Sequence, residues 1–259
     1  MPKRFAVLTL VAIAALAGCT GEVPVLGGAQ TTDTAAAAPL QNGATLDTPR
    51  FNPFSDAPET AAAAREVIAN PTVGDIMQAG ELPEMALGRP DAPVTIVEYA
   101  SLSCPYSRRF QLETFPLLKK EYIDTGKVRF ILREFPIGKQ SGLATIALRC
   151  APPERYFALY DNLMVQQASW VSQEVRPDPI YQVAAQVGLT RLLFDGCRDD
   201  QRLIAQLNWV KERGRKLGVI GTPNFFIQGR LVKRVIGMKE IREIVDPILV
   251  GRANASVVE

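Results

Sequence analysis

The sequence predicts an α/β domain in which a block of helices interrupts a mixed sheet. Three stretches carry that reading. The β-branched run Val94-Thr95-Ile96-Val97-Glu98-Tyr99 and the run Val128-Arg129-Phe130-Ile131-Leu132 enclose a helical pattern, which makes a βαβ unit with parallel strands. A helix-rich block follows over about residues 138–199. Asn224–Ile227 and Arg230–Val232 then flank Gln228-Gly229, which reads as a hairpin with Gly in the turn.

The elements follow in order. Lys3 and Arg4 precede the apolar run Phe5–Leu16, too short to span a bilayer and suited to a secretory signal over residues 1–18. Leu16-Ala17-Gly18-Cys19 looks like a bacterial lipobox, in which the Cys19 thiol takes a diacylglycerol thioether and holds the chain on a membrane. An ordinary cleaved signal or a short uncleaved anchor, with Cys19 incidental, is the alternative. Thr20 follows, with no Asp to suggest inner-membrane retention, so the outer membrane is preferred. Residues 19–60 are rich in Ala, Thr, Gly, Pro and Asp and read as a tether that cannot bury enough surface to order itself. Residues 61–90 read as an N-terminal extension, with a short helix over Glu59–Ala69.

The folded domain is expected over residues 91–252. Pro105–Asp124 reads as a helix with Phe110, Phe115, Leu118 and Tyr122 on one side, kinked at Pro116 and ended by Thr125-Gly126. Ser141–Cys150, Glu154–Gln167, Pro179–Val187 and Leu189–Cys197 read as helices of the insertion, Asp200–Leu217 as a longer one, and Lys239–Leu249 as the closing one. This order matches a thioredoxin-type sheet with a helical insertion between its halves.

Composition narrows the chemistry. The 259 residues are 47% apolar, enough for a sizeable core, and the net charge is only +2. No basic stripe suits nucleic acid and no acidic tail is present. The chain has no His, which excludes imidazole catalysis and His-ligated metal. Four scattered Cys do not make a metal site, and no cofactor is implied.

The stretch Ser101-Leu102-Ser103-Cys104-Pro105-Tyr106-Ser107 carries the candidate chemistry. Cys104 follows a strand and opens a helix. As N-cap it places Pro105 at the first helical position, which Pro favours. Free backbone amides and the positive helix end then stabilise a thiolate. Ser107 lies at the same helix end and is expected to donate a hydrogen bond to the sulfur. Gly221-Thr222-Pro223 precedes the strand Asn224–Ile227, where a Pro cannot donate to the ladder. A cis Thr222–Pro223 bond would explain the position, although on these residues alone an ordinary trans Pro starting a strand is the preferred reading.

Taken together, "APVTIVEYASLSCPYS", "YIDTGKVRFILREFPI" and "GVIGTPNFFIQGRLV" resemble DsbA-like thiol–disulfide oxidoreductases of the thioredoxin superfamily, over about residues 85–250. The resemblance implies a nucleophile at Cys104, a cis-Pro at Pro223 facing it, and a groove for an extended substrate strand, with Thr222 supplying backbone hydrogen bonds and Pro105 and Tyr106 lining the approach. It also implies that "LRCAPPERYFALYDNLMVQQASW" through "LFDGC" carries a second, structural disulfide, Cys150–Cys197, as in some family members. An exported compartment permits such a bridge, worth about 4 kcal/mol in the chain-entropy model; two buried reduced thiols are the alternative.

The departure is Ser107, where the family has a resolving Cys. An alcohol cannot form a disulfide, so a self-contained dithiol cycle is closed off. Cys104 can still form mixed disulfides with exported proteins bearing thiols or disulfides, released by an external thiol or redox partner. That favours isomerisation, reduction or deglutathionylation in a lipid-anchored, periplasm-facing protein of the bacterial envelope. The alternative is a non-catalytic binding or chaperone-like lipoprotein on the same scaffold. Four further features are weighed. Trp170 with Gln166 and Gln167 reads as packing in the insertion rather than a ligand box. Arg108-Arg109 reads equally as a steering pair or a solvated one. Lys211, Arg213, Arg215 and Lys216 read as a solvated face. Glu98 is a candidate proton relay if it points inward, which strand alternation alone does not decide.

Overall fold

The sheet is organised around β2 (Val94–Ala100), which is paired on both sides. The computed structural model describes residues 67–255. In it β2 lies parallel to β3 (Val128–Glu134), with Ile96 opposite Phe130 and Ala100 opposite Glu134. On its other side β4 (Asn224–Ile227) runs antiparallel and sets Glu98 opposite Phe225. β5 (Arg230–Val232) pairs with β4 through a two-residue turn in which Gln228 has φ 47° and Gly229 φ 88°. Two successive positive φ values make a type I′ turn, whose twist matches that of the strands. The hairpin is tied to β2 at Thr95, whose N–H donates to Gln228 Oε1 (3.0 Å) and whose carbonyl accepts from Gln228 N (3.1 Å).

The expected signal segment, Cys19 and the tether lie outside the described residues. So does most of the helix expected over Glu59–Ala69; residues 67–69 are not helical. Part of the expected extension belongs to the domain itself. β1 (Met85–Leu87) lies antiparallel on the outer edge of β3, giving the strand order β1-β3-β2-β4-β5. Three residues are too few to show a period, so only pairing with β3 identifies them. α1 (Val73–Met77) precedes β1 and starts on a capping box, in which Asp75 N donates to Thr72 Oγ1 (3.1 Å) and Thr72 N to Asp75 Oδ2 (2.9 Å).

Both faces of the sheet are covered. Ile96, Ala100, Phe130, Leu132 and Phe225 pack with the helices after β2 and with those of the insertion. Val97, Tyr99, Ile131 and Phe226 pack with α1 and with α9 (Gln201–Lys216). Gly214 of α9 is required by this second contact, since a Cβ there would lie 2.7 Å from the Tyr99 ring. Lys211 and Arg213 of the basic cluster on α9 are therefore not part of a solvated face, while Lys216 is exposed. Lys211 is 3% exposed and faces the Phe135 ring, and Arg213 donates to the Asp75 carbonyl (2.6 Å).

After β2 the chain forms α2 (Pro105–Arg109), a π-helical turn over Phe110–Thr114, α3 (Phe115–Leu118) and a second π turn over Lys119–Ile123. At Pro116, where a kink is expected, the helix continues. Phe115 N donates to Phe110 O, five residues back, and the widened turn accommodates a residue that has no N–H to give. The insertion comprises α4 (Lys139–Cys150), a short 3₁₀ turn at Pro153–Arg155, α5 (Tyr156–Val165), α6 (Gln167–Trp170), α7 (Pro177–Ala185) and α8 (Arg191–Arg198). Trp170 packs inside it, with Nε1 donating to Leu163 O (2.8 Å). α10 (Met238–Ala255) closes the described chain.

Candidate functional site

Cys104 caps α2 with an extended backbone (φ −78°, ψ 122°), and Pro105 takes the first helical position. The sulfur does not turn back to the helix amides, and no side-chain cap hydrogen bond forms. It reaches across instead, Sγ donating to the Thr222 carbonyl at 3.1 Å. That carbonyl belongs to the cis Thr222–Pro223 peptide, so residues 118 positions apart meet at one atom pair. Pro223 is buried, Thr222 and Cys104 are half-buried, and Pro105 and Tyr106 are exposed.

The expected hydrogen bond from Ser107 to the sulfur is absent. Ser107 is fully buried beneath the helix, and its Oγ has no partner. The reason is rotational: the cap side chain projects toward Thr222 while the third helical residue faces the core.

Glu98 lies on the sheet face that carries Ile96 and Ala100, against which Phe110, Phe115 and Leu118 pack. It is fully buried, and neither carboxylate oxygen has a partner. Burial raises its carboxyl well above the usual range, and negative charge on Cys104 pushes it the same way. A buried carboxyl, raised from its usual range, thus lies within electrostatic reach of the sulfur. Tyr160, also buried with an unpartnered hydroxyl, has its phenol raised by burial first and by Glu98 second.

The loop that presents Cys104 is held by Ser101, which sequence reading missed, and by Gln167, which it read as packing in the insertion. Ser101 is fully buried; its carbonyl accepts from Cys104 N (3.0 Å), and its hydroxyl lies 2.9 Å from Ser141 Oγ and 3.3 Å from Ile137 N. Gln167 donates through Nε2 to the carbonyls of Leu102 (2.6 Å) and Cys104 (3.1 Å). No local pattern signals a glutamine that caps a loop 63 residues away. Of the basic pair, Arg108 donates to Met164 O (2.9 Å) and ties α2 to α5, while Arg109 pairs with Glu113.

Cys150 and Cys197 are joined, with Cα atoms 6.2 Å apart, and bridge α4 to α8. Among the described residues Cys104 is the free thiol, and no group of acidic or Cys side chains is placed to hold a metal ion.

A helix-capping thiol facing a cis-Pro loop on this sheet defines the scaffold. Residues 81–247 match the family model described as thioredoxin. The chain belongs to the thioredoxin family. Within it, the fold and the relatives are DsbA-like. Wolbachia pipientis alpha-DsbA1 superposes with a TM-score of 0.63 at 26% identity, over 71% of this chain and 98% of that one. A candidate protein-disulfide oxidoreductase of Rickettsia bellii is 32% identical over 56% of this chain and 57% of its own. Disulfide bond formation protein D of Bacillus subtilis is 25% identical over 64% of this chain and 77% of its own. The chain thus spans little more than half the length of the first of these sequence relatives.

Proposed function

We propose that this DsbA-like thioredoxin family member exchanges disulfides through Cys104 alone. The observation that carries the reading is the Cys104–Thr222 juxtaposition with a buried alcohol, Ser107, where a resolving thiol would stand. The Cys104 thiolate attacks one sulfur of a substrate disulfide; a Cys104–substrate bond forms, the old S–S bond breaks, and the leaving sulfur departs as a thiolate that takes up a proton. Glu98 is the buried acid positioned to give and retake a proton as the sulfur's charge changes. Thr222 and Pro223 hold an extended substrate segment beside Pro105 and Tyr106. An external thiolate then attacks the mixed disulfide and restores Cys104. Isomerisation, reduction and deglutathionylation all run on these two steps.

The substrates proposed are exported proteins, met at the bacterial envelope with the chain lipid-anchored at Cys19 and facing the periplasm. The signal-like segment and Leu16-Ala17-Gly18-Cys19 support this, and no helix among the described residues is long and apolar enough to cross a membrane. Cys150–Cys197 is assigned a structural role.

Insulin reduction and scrambled-ribonuclease refolding, each with and without glutathione, test the reading. Turnover that depends on added thiol is expected. No rate in either condition overturns it and leaves a groove-bearing binding protein.

A further inference from the structure

Beside Thr222 lies a cavity of about 470 Å³ whose charge is one-sided. Three cations line it, Arg109, Lys233 and Arg234, and no carboxylate does. Arg109 and Arg234 each have a partner outside the lining, Glu113 and Glu240. Lys233 is exposed and has no ion pair among the described residues. A cavity of similar size between residues 78–81 and α9, about 510 Å³, is balanced, with Glu81 against Arg202. The one-sided cavity is also the one next to the nucleophile, since Thr222, which lines it, accepts from Cys104 Sγ at 3.1 Å. Whatever is disulfide-bonded to Cys104 lies at its mouth.

With Ser107 buried and unable to resolve a mixed disulfide, a second thiol has to reach Cys104 on every cycle. A cavity of this volume falls in the small-molecule range, roughly 300–1,000 Å³, and a lining with an unpaired Lys233, two further cations and no carboxylate favours an anion.

We infer that this cavity binds a small thiol carrying carboxylates, and that the substrates are mixed disulfides between such a thiol and a protein. The inference rests on the thiol-exchange reading above. Cys104 thiolate attacks the small thiol's sulfur; the Cys104–small-thiol bond forms, the protein–small-thiol bond breaks, and the protein leaves as a thiolate that is protonated. A second small thiol, as its thiolate, then attacks the same sulfur, releasing Cys104 thiolate and the symmetrical small disulfide. Over the cycle one free small thiol is consumed: its sulfur enters the symmetrical disulfide as the protein's sulfur leaves as a thiol. Lys233, Arg109 and Arg234 hold the carboxylates in both steps.

The test uses the full chain and one carrier protein loaded either with glutathione, which is anionic, or with cysteamine, which is cationic. Release of the carrier thiol is followed with each small thiol supplied in excess. Clearance of the glutathione adduct by the native chain is expected to exceed that of the cysteamine adduct by about five-fold or more, the scale set by a few exposed charge pairs. The ratio is expected to collapse near 1 M salt, where the Debye length is about 3 Å. Lys233→Glu is expected to reverse it, and Lys233→Ala to reduce it. An unchanged ratio in Lys233→Glu overturns the inference. So does an effect of that variant confined to an acidic polypeptide disulfide, which would assign the cavity to a polypeptide. If the native chain clears neither adduct faster than Cys104→Ala does, the exchange reading itself fails.

Discussion

The molecule keeps its sulfurs in two contrasting settings. Cys104 ends a loop at the sheet's margin, half-buried, with one hydrogen bond to a carbonyl and a charged cavity alongside. Cys150 and Cys197 sit behind the sheet where α4 meets α8, already joined and packed among Ile146, Ile204 and Leu207. The residue before Cys150 adds a second fastening. Arg149, half-buried with its side chain 7% exposed, pairs with Glu134 at the end of β3, where Tyr156 also donates (2.6 Å). The difference teaches how one chain separates reactive from structural sulfur. Reactivity requires an approach path and a single, exchangeable partner. Durability requires that all partners be satisfied within the core.

Breaking each sulfur should therefore break a different property. The largest effect is expected from Cys104→Ala, which should lower disulfide exchange by about 10³-fold or more, as loss of a nucleophile does, and leave the unfolding midpoint nearly unmoved. Cys150→Ala with Cys197→Ala should do the opposite. Denaturant titration is expected to show a loss of about 2–4 kcal/mol, with exchange still present below the lowered midpoint. If the double variant lost exchange without losing stability, the contrast would be wrong.

A smaller change sharpens it. Glu98 keeps its proton in the folded chain above its ordinary value of 4.5, because burial raises it. The unfolded chain releases that proton, so Glu98 makes stability fall as pH rises above 4.5 toward its raised folded value. Glu98→Met is expected to remove this slope and to stabilise by about 1–3 kcal/mol at neutral pH, the scale of one unsatisfied buried polar group. It should also slow exchange. Stabilisation with no change in rate would make Glu98 a bystander to the chemistry.

Much of this was legible beforehand for physical reasons that can be named. β2 and β3 announce themselves through β-branched runs, and a short βαβ join leaves them parallel. Cys104 and Pro105 mark a helix start because an N-cap and a first-turn Pro are local preferences. Glu98 was not legible, and the reason is the sheet itself. β2 is covered on both faces, so its two alternating sets of side chains are equally buried and no polar face reveals the phase. Lys211 and Arg213 misled for a related reason: a basic run reads as solvated until α1 and the Phe135 ring are packed on it.

Sequence alone determined the kinds of element, their order, and the residue types at the helix mouth, because each depends on interactions within a few positions of the chain. It also decided that no second thiol stands at position 107. Only the tertiary structure decided where the Cys104 sulfur points, that the Thr222 carbonyl accepts its hydrogen bond, that Gln167 and Ser101 hold its loop, and that the cations near Thr222 stand without a carboxylate in their cavity. Those facts join residues tens to more than a hundred positions apart, and contacts of that range are set by how the core closes rather than by any local preference.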